Sequence, residues 1–273
     1  MSHLVLRRLG DLGLIVGIAA LVIPFIIALV IALRPAADVA ADPLGFPTTL
    51  TLDNFFRTAQ QLNYGRSLLN STIFTVGSSI VIVIVGAMVS YPIARLARGW
   101  TNSLYRYFIL GLTIPIFVLL APLYLLFRDL HLLNTHIGTI LIYSAMNLPI
   151  AVFFFSSFMR SVPVELEEAA ALDGSGPYRT FFTIVFPLMR PIVATLAVTL
   201  VLSLWNDLIV PLIFMQGTDN RTVMSNAFAL IDPRKADPTT LFPAALLGVA
   251  PLIIVFFILQ RQIVDGIAAG AVK

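Results

Sequence analysis

The chain has 273 residues, 59% of them hydrophobic and 11% charged, and a formal net charge of +3; its mean hydropathy is +0.95. Soluble domains carry about 45–50% apolar and about 25% charged residues, so this composition excludes a water-soluble fold. The apolar residues form long unbroken runs, and backbone groups in hydrocarbon must bond internally, so the expectation is an all-α polytopic membrane protein with six transmembrane helices rather than a barrel.

The first run, residues 12–33, follows Arg7 and Arg8. At about 22 residues it exceeds the 7–15 of a signal peptide's apolar core and suits a span, so it reads as a retained first helix. Residues 34–66 are polar, with Pro43 and Pro47, and read as an ordered external loop or short helix. The second span, 68–93, carries Gly77, Ser78, Ser79, Gly86 and Ser90, small residues that let helices approach closely, and is expected to pack inside the bundle.

A third span, 108–127, contains Pro115 and Pro122, where kinks are expected. The fourth, 137–158, has Asn147 and Pro149 near its middle. A polar segment at 160–190 precedes a fifth span, 191–214, a polar loop at 216–240, a sixth span, 242–259, and a short tail. Six spans put both termini on one side. That side holds Arg7, Arg8, Arg95, Arg98, Arg106, Arg160, Arg179, Arg190, Arg261 and Lys273, against Arg34, Arg57, Arg66, Arg128, Arg221, Arg234 and Lys235 on the other. Ten basic residues against seven favours termini inside.

The basic residues lie singly or in pairs and make no stripe, so nucleic acid is not an expected partner. Cysteine is absent, and His3, His131 and His136 lie outside the apolar runs in no ligand spacing, so no metal site is expected.

The informative segment is 161–187, SVPVELEEAAALDGSGPYRTFFTIVFP. Ser161 reads as an N-cap with Pro163 in the first turn, and Glu165, Glu167 and Glu168 suit a helix N-terminus, where exposed amides favour negative charge. Ala169, Ala170, Ala171 and Leu172 continue the helix, and Gly174 stands where helices end at positive φ. Ser175, Gly176 and Pro177 then turn the chain into a second short helix. The residues alone allow either a surface docking element or an ordinary amphipathic connector.

The succession Glu168-Ala169-Ala170, Gly174, Ile184 and Phe186-Pro187 resembles the EAA loop of importer-type ABC permeases, where EAA, Gly and Ile-x-Leu-Pro follow at this spacing; Phe186 replaces the leucine. Asn70-Ser71, Ala94-Arg95, Trp205-Asn206-Asp207, Pro211-Leu212, and Gly266 with Gly270-Ala271-Val272-Lys273 are similar to stretches of the maltose-type carbohydrate permeases. The resemblance runs over nearly the whole chain and implies a type I ABC importer permease fold, with 1–273 as a single transmembrane domain in a bacterial-type inner membrane and both termini cytoplasmic. It implies that the loop at 160–190 docks on an ATPase subunit, with Glu165, Glu168, Ala169, Ala170, Gly174, Ile184 and Pro187 as the coupling residues. Partners implied are a second permease subunit, two ATPase subunits and an extracytoplasmic sugar-binding protein approached by loop 216–240, with the tail 266–273 near the ATPases and membrane lipid around the spans.

No Gly-rich phosphate loop ending in Gly-Lys-Ser/Thr is present, since neither Lys235 nor Lys273 follows a glycine. ATP and Mg are therefore expected on the partner ATPases, with no cofactor in this chain. Asp207 is the carboxylate inside a span, which makes it either a functional-site candidate or the stabiliser of a kink before Pro211. Asn70, Asn147, Trp205, Asn206 and Asp207 are candidates for a sugar path; each can equally be a helix-packing group. A proton-coupled secondary carrier is the alternative, but one embedded acid and no internal repeat fit it poorly. An intramembrane enzyme lacks any nucleophile, base or metal set within the spans.

Overall fold

The computed structural model describes residues 2–96, 98–231 and 237–271. In chain order come α1 (Ser2–Ala32), α2 (Ala36–Ala41), α3 (Asp53–Gln61), α4 (Tyr64–Arg95), α5 (Gly99–Gly111), α6 (Ile116–Asp129), α7 (His136–Met159), α8 (Glu165–Leu172) and α9 (Pro177–Thr180). A π-helical turn (Phe181–Val185), α10 (Phe186–Leu188), α11 (Arg190–Asn206), α12 (Ile209–Phe214), a 3-10 turn (Thr218–Asn220), α13 (Val223–Ala229) and α14 (Pro238–Ala271) follow. Two compact units result, Met1–Gly65 with Asn226–Pro251 and Arg66–Ser225 with Leu252–Lys273.

Among the described residues, four stretches are long and apolar enough to cross a membrane: Gly13–Ala32, Tyr64–Arg95, His136–Met159 and Pro238–Ile258. Two bent pairs, Gly99–Gly111 with Ile116–Asp129 and Pro177–Leu188 with Arg190–Asn206, raise the number to six if each is one span. The expected third span, 108–127, is not continuous: α5 and α6 meet at 102°. Pro115 is the cause, because its ring disfavours helical backbone at Ile114 and it brings no N–H of its own. Pro122, where a second kink was expected, lies inside α6. The expected fifth span, 191–214, also divides. Here α11 stops at Asn206, Asp207 is extended (φ −69°, ψ 131°) and α12 begins at Ile209.

In the first unit, the polar stretch after α1 is ordered, as its residues suggested. Arg34 is buried, and its guanidinium donates to the carbonyls of Asp38, Asp42 and Pro43, closing the C-terminal end of α2. The Asn54 amide donates to the carbonyls of Ala32 and Arg34, tying α3 to the end of α1.

In the second unit, α4 is the most buried of the four candidate spans, with 39% of its most apolar window covered against 6% for the first. Small residues account for this. A Cβ added at Gly86 would stand 2.8 Å from the Ala151 Cβ of α7, and Ser90 donates across the same contact to the Val152 carbonyl at 3.3 Å. Around it Phe74, Ile82, Ile142, Tyr143, Phe155, Leu196, Leu200 and Phe214 form the core. Of the tail that resembles carbohydrate permeases, the backbone is helical to Ala271; Val272 and Lys273 lie outside the described residues, as do 232–236 of the loop at 216–240.

Candidate functional site

Helix α8 begins at Glu165, four residues after the expected cap. The Ser161 hydroxyl instead donates to the Phe158 carbonyl at 2.7 Å, one of the carbonyls that the end of α7 leaves free, and Pro163 falls before the helix. Glu165, Glu167 and Glu168 do occupy the first turn, where the helix dipole favours them. At the other end Gly174 has φ +78°, the Ser175 amide bonds the Ala170 carbonyl at 2.9 Å, and the Gly174 amide bonds the Ala171 carbonyl at 3.0 Å. This is a Schellman ending, and it requires the left-handed residue that glycine supplies without strain.

Glu165, Glu168 and Ala169 are exposed and Ala170 is buried. Leu172, Tyr178 and Phe182 are 91%, 77% and 49% exposed, so an acidic edge and an apolar patch face outward together. Such a combination suits a protein partner better than solvent. Ile184 and Pro187 are half-buried beyond the turn, between the buried Phe181, Val185 and Met189. Phe186, the departure from leucine, joins an aromatic cluster with Phe181 and Phe182 at centroid distances of 5.9 and 6.4 Å.

The acid held within the chain is Glu167, which the sequence did not single out. Its Oε1 accepts from Arg95 Nε at 2.6 Å and its Oε2 from the Tyr91 hydroxyl at 2.6 Å. Arg95 also donates to the Val162 carbonyl at 3.0 Å. The ion pair's side chains are only 10% and 12% exposed. Arg95 lies in the last turn of α4 and Glu167 in the first turn of α8, so each charge complements its own helix dipole. The available signal was the spacing Tyr91, Arg95, which puts a hydroxyl and a guanidinium on one face of a helix. Beside the pair is a mainly apolar cavity of about 430 Å³ lined by Met88, Tyr91, Pro92, Leu96, Pro177, Tyr178, Phe181 and Phe182.

Two of the sugar-path candidates come together around Tyr143. Its hydroxyl donates to Asp207 Oδ2 at 2.8 Å, and the Asn147 amide donates to its carbonyl at 2.9 Å. Asp207 also accepts from the amides of Ile209 (3.3 Å) and Val210 (3.0 Å), capping α12 across the break. Asn206 is exposed and donates back to the Leu202 carbonyl at 2.8 Å, while Trp205 is buried. Asn70 lies elsewhere: its amide holds the carbonyls of Asp219 and Arg221 at 2.9 and 3.1 Å, and its Oδ1 is 3.2 Å from His136 Nε2. It therefore fastens the loop after α12.

Residues 82–268 match a family model described as binding-protein-dependent transport system inner membrane component. The chain is 32% identical over 272 residues to the melibiose/raffinose/stachyose import permease protein of Bacillus subtilis, covering 97% of this chain and 98% of that protein. It is 30% identical over 262 residues to the diacetylchitobiose uptake system permease protein of Streptomyces coelicolor (95% and 87%), and 31% identical over 265 residues to the trehalose transport system permease protein of Mycobacterium tuberculosis (95% and 94%). Among solved structures, a bacterial ABC transporter involved in the import of the acidic polysaccharide alginate superposes with a TM-score of 0.79 at 17% identity, over 96% of this chain and 97% of that one. At that identity the likeness shows the fold.

Proposed function

Since the chain belongs to the family of binding-protein-dependent transport system inner membrane components, it is a multi-pass membrane permease subunit and not an enzyme, and we propose that it imports a sugar or oligosaccharide driven by ATP. The observation that carries the cargo class is full-length similarity to permeases named for melibiose, raffinose and stachyose, for diacetylchitobiose and for trehalose. The proton-coupled carrier finds no support in these relatives.

The working assembly pairs this chain with a second, similar permease and two ATPase subunits that bind ATP and Mg, and a sugar-binding protein delivers cargo from outside. Both termini then face the cytoplasm of a bacterial-type inner membrane. The exposed edge formed by Glu165, Glu168 and Ala169, with Leu172, is the ATPase docking face, and Gly174 sets the turn that presents it. Ile184 and Pro187 brace the same element from behind. Closure of the ATPases on this face would switch the spans between outward-open and inward-open states, a coupling between distant sites through rigid elements. Asn147, Asn206 and Asp207 border the translocation path, with Asn70 and Trp205 supporting it.

Co-expression of this chain with its permease and ATPase partners tests the reading. Wild type is expected to retain the ATPase through purification and Glu168→Lys to lose it, because Glu168 is exposed and reversal leaves this chain's own contacts intact. Retention of the ATPase by Glu168→Lys together with undiminished sugar uptake would overturn the assignment.

A further inference from the structure

The docking element is joined to the membrane helices by the chain itself, through α7 before it and α11 after it. The structure adds a third connection that sequence adjacency does not supply. Arg95, the last residue of α4, lies 72 residues from Glu167 in sequence and 2.6 Å from it in space. Tyr91, one turn earlier, takes the second carboxylate oxygen, so both Glu167 oxygens are held by α4. Arg95 reaches on to the Val162 carbonyl, just ahead of α8. Tyr91 also packs its ring on the buried Phe181 at 5.2 Å, beyond the glycine turn. The cytoplasmic end of α4 therefore grips both limbs of the docking element, α8 by charge and the π-helical turn by an aromatic contact.

We infer that Arg95, Tyr91 and Glu167 are positioning residues that transmit displacement of the docking element directly into α4. A two-point contact made of an ion pair and a phenol hydrogen bond, largely shielded from water, resists sliding more than an apolar contact does, because its geometry is directional. Helix α4 passes the motion on, since its glycine and serine face meets α7 at Gly86 and Ser90. The apolar cavity of about 430 Å³ that Tyr91 and Phe181 line leaves room for Tyr178 and Phe182 to shift as the docking element turns. Glu168, by contrast, is exposed to a partner.

This inference rests on the docking face proposed above, and one experiment separates the two. Hydrogen exchange is followed by mass spectrometry in the complete, reconstituted transporter, with and without Mg-ATP and vanadate. The parent is expected to change protection in both 165–188 and 85–96. In Glu167→Gln, an isosteric change that leaves the docking face unaltered, the response of 165–188 persists. The response of 85–96 is lost, because a glutamine carries no charge for Arg95. The reciprocal swap Arg95→Glu with Glu167→Arg is expected to restore it, which a merely structural role would not require. An undiminished response of 85–96 in Glu167→Gln would overturn the transmission role alone, as would failure of Glu167→Gln to assemble. Silence of 165–188 in the parent would overturn the docking face itself.

Discussion

Tyr143, 2% exposed in the core of the second unit, donates its hydroxyl proton to Asp207 at 2.8 Å, and that same carboxylate caps the helix that restarts after it. One residue thus closes a broken helix and fastens it to α7. Pro211 supplies no N–H for the Asp207 carbonyl, so continuing the helix would leave that group unpaired.

Asp207→Ala uncaps α12 and strands the Tyr143 hydroxyl, and is expected to cost about 1–3 kcal/mol, whereas Tyr143→Phe removes one hydrogen bond and costs about 0.5–1.5 kcal/mol. Thermal midpoints of the detergent-solubilised protein would measure both, and the double variant should fall short of the sum because the two share a contact. An Asp207→Ala protein as stable as the parent would deny the staple.

At Gly174 an added Cβ meets nothing within 4 Å, so any cost of substitution comes from the backbone angle of +78° and not from crowding. Gly174→Val should therefore lose about 1–3 kcal/mol of local stability, while Gly174→Asn loses less, since Asn tolerates left-handed backbone. Co-purification of the ATPase should follow the same order, Gly then Asn then Val. Equal behaviour of Val and Asn would point to sterics at a partner surface instead.

Within α4, two glycines are expected to respond with opposite signs. Gly65 is exposed with open space around it, so Gly65→Ala should stabilise the helix by about 0.5–1 kcal/mol. A Cβ added at Gly86 would stand 2.8 Å from the Ala151 Cβ, so Gly86→Leu should overpack the α4–α7 contact and cost about 1–3 kcal/mol. The same thermal assay reads both, and a neutral Gly86→Leu would mean the helices do not meet there.

Asp237 stands immediately before α14. Burial raises its pKa, but hydrogen bonds from the Thr239 hydroxyl and amide and the Thr240 hydroxyl, with Arg57 3.7 Å away, outweigh burial and hold the carboxyl below its ordinary value of 3.8. A carboxylate held low in the folded state adds stability that is complete above the ordinary value and disappears as pH falls through the depressed one. Exchange of the Thr240 and Leu241 amides, both bonded to the Asp237 carbonyl, should accordingly be insensitive to pH above 3.8 once corrected for intrinsic rates, and should accelerate below it. Asp237→Asn should lose that dependence.

Local chemistry made much of this protein readable from its residues. Long apolar runs specify helices because hydrocarbon offers the backbone no other partners. The short helix at 165–172 and its glycine ending were equally legible, since first-turn acids, alanines and a glycine at the helix end act within a few residues of one another. Pro115 and Pro211 also marked where the third and fifth runs would be disturbed, although not that each would become a complete break.

What the residues could not disclose depends on groups far apart in sequence. Three acids share the first turn of α8, and composition cannot rank them; the end of α4 does, by drawing Glu167 inward and leaving Glu165 and Glu168 outside. Asn70, a path candidate by its residue type, also holds the loop at 219–221 through its amide. Asp207 needed Tyr143 of another helix to become a staple as well as a cap. The sequence by itself determined that this chain is a helical membrane protein with a polar helix, glycine turn and helix between two of its spans, because periodicity, propensity and turn chemistry are properties of neighbouring residues. Only the tertiary structure decided which charge joins that segment to α4, because a directional bond between residues 72 apart exists only once the helices have packed.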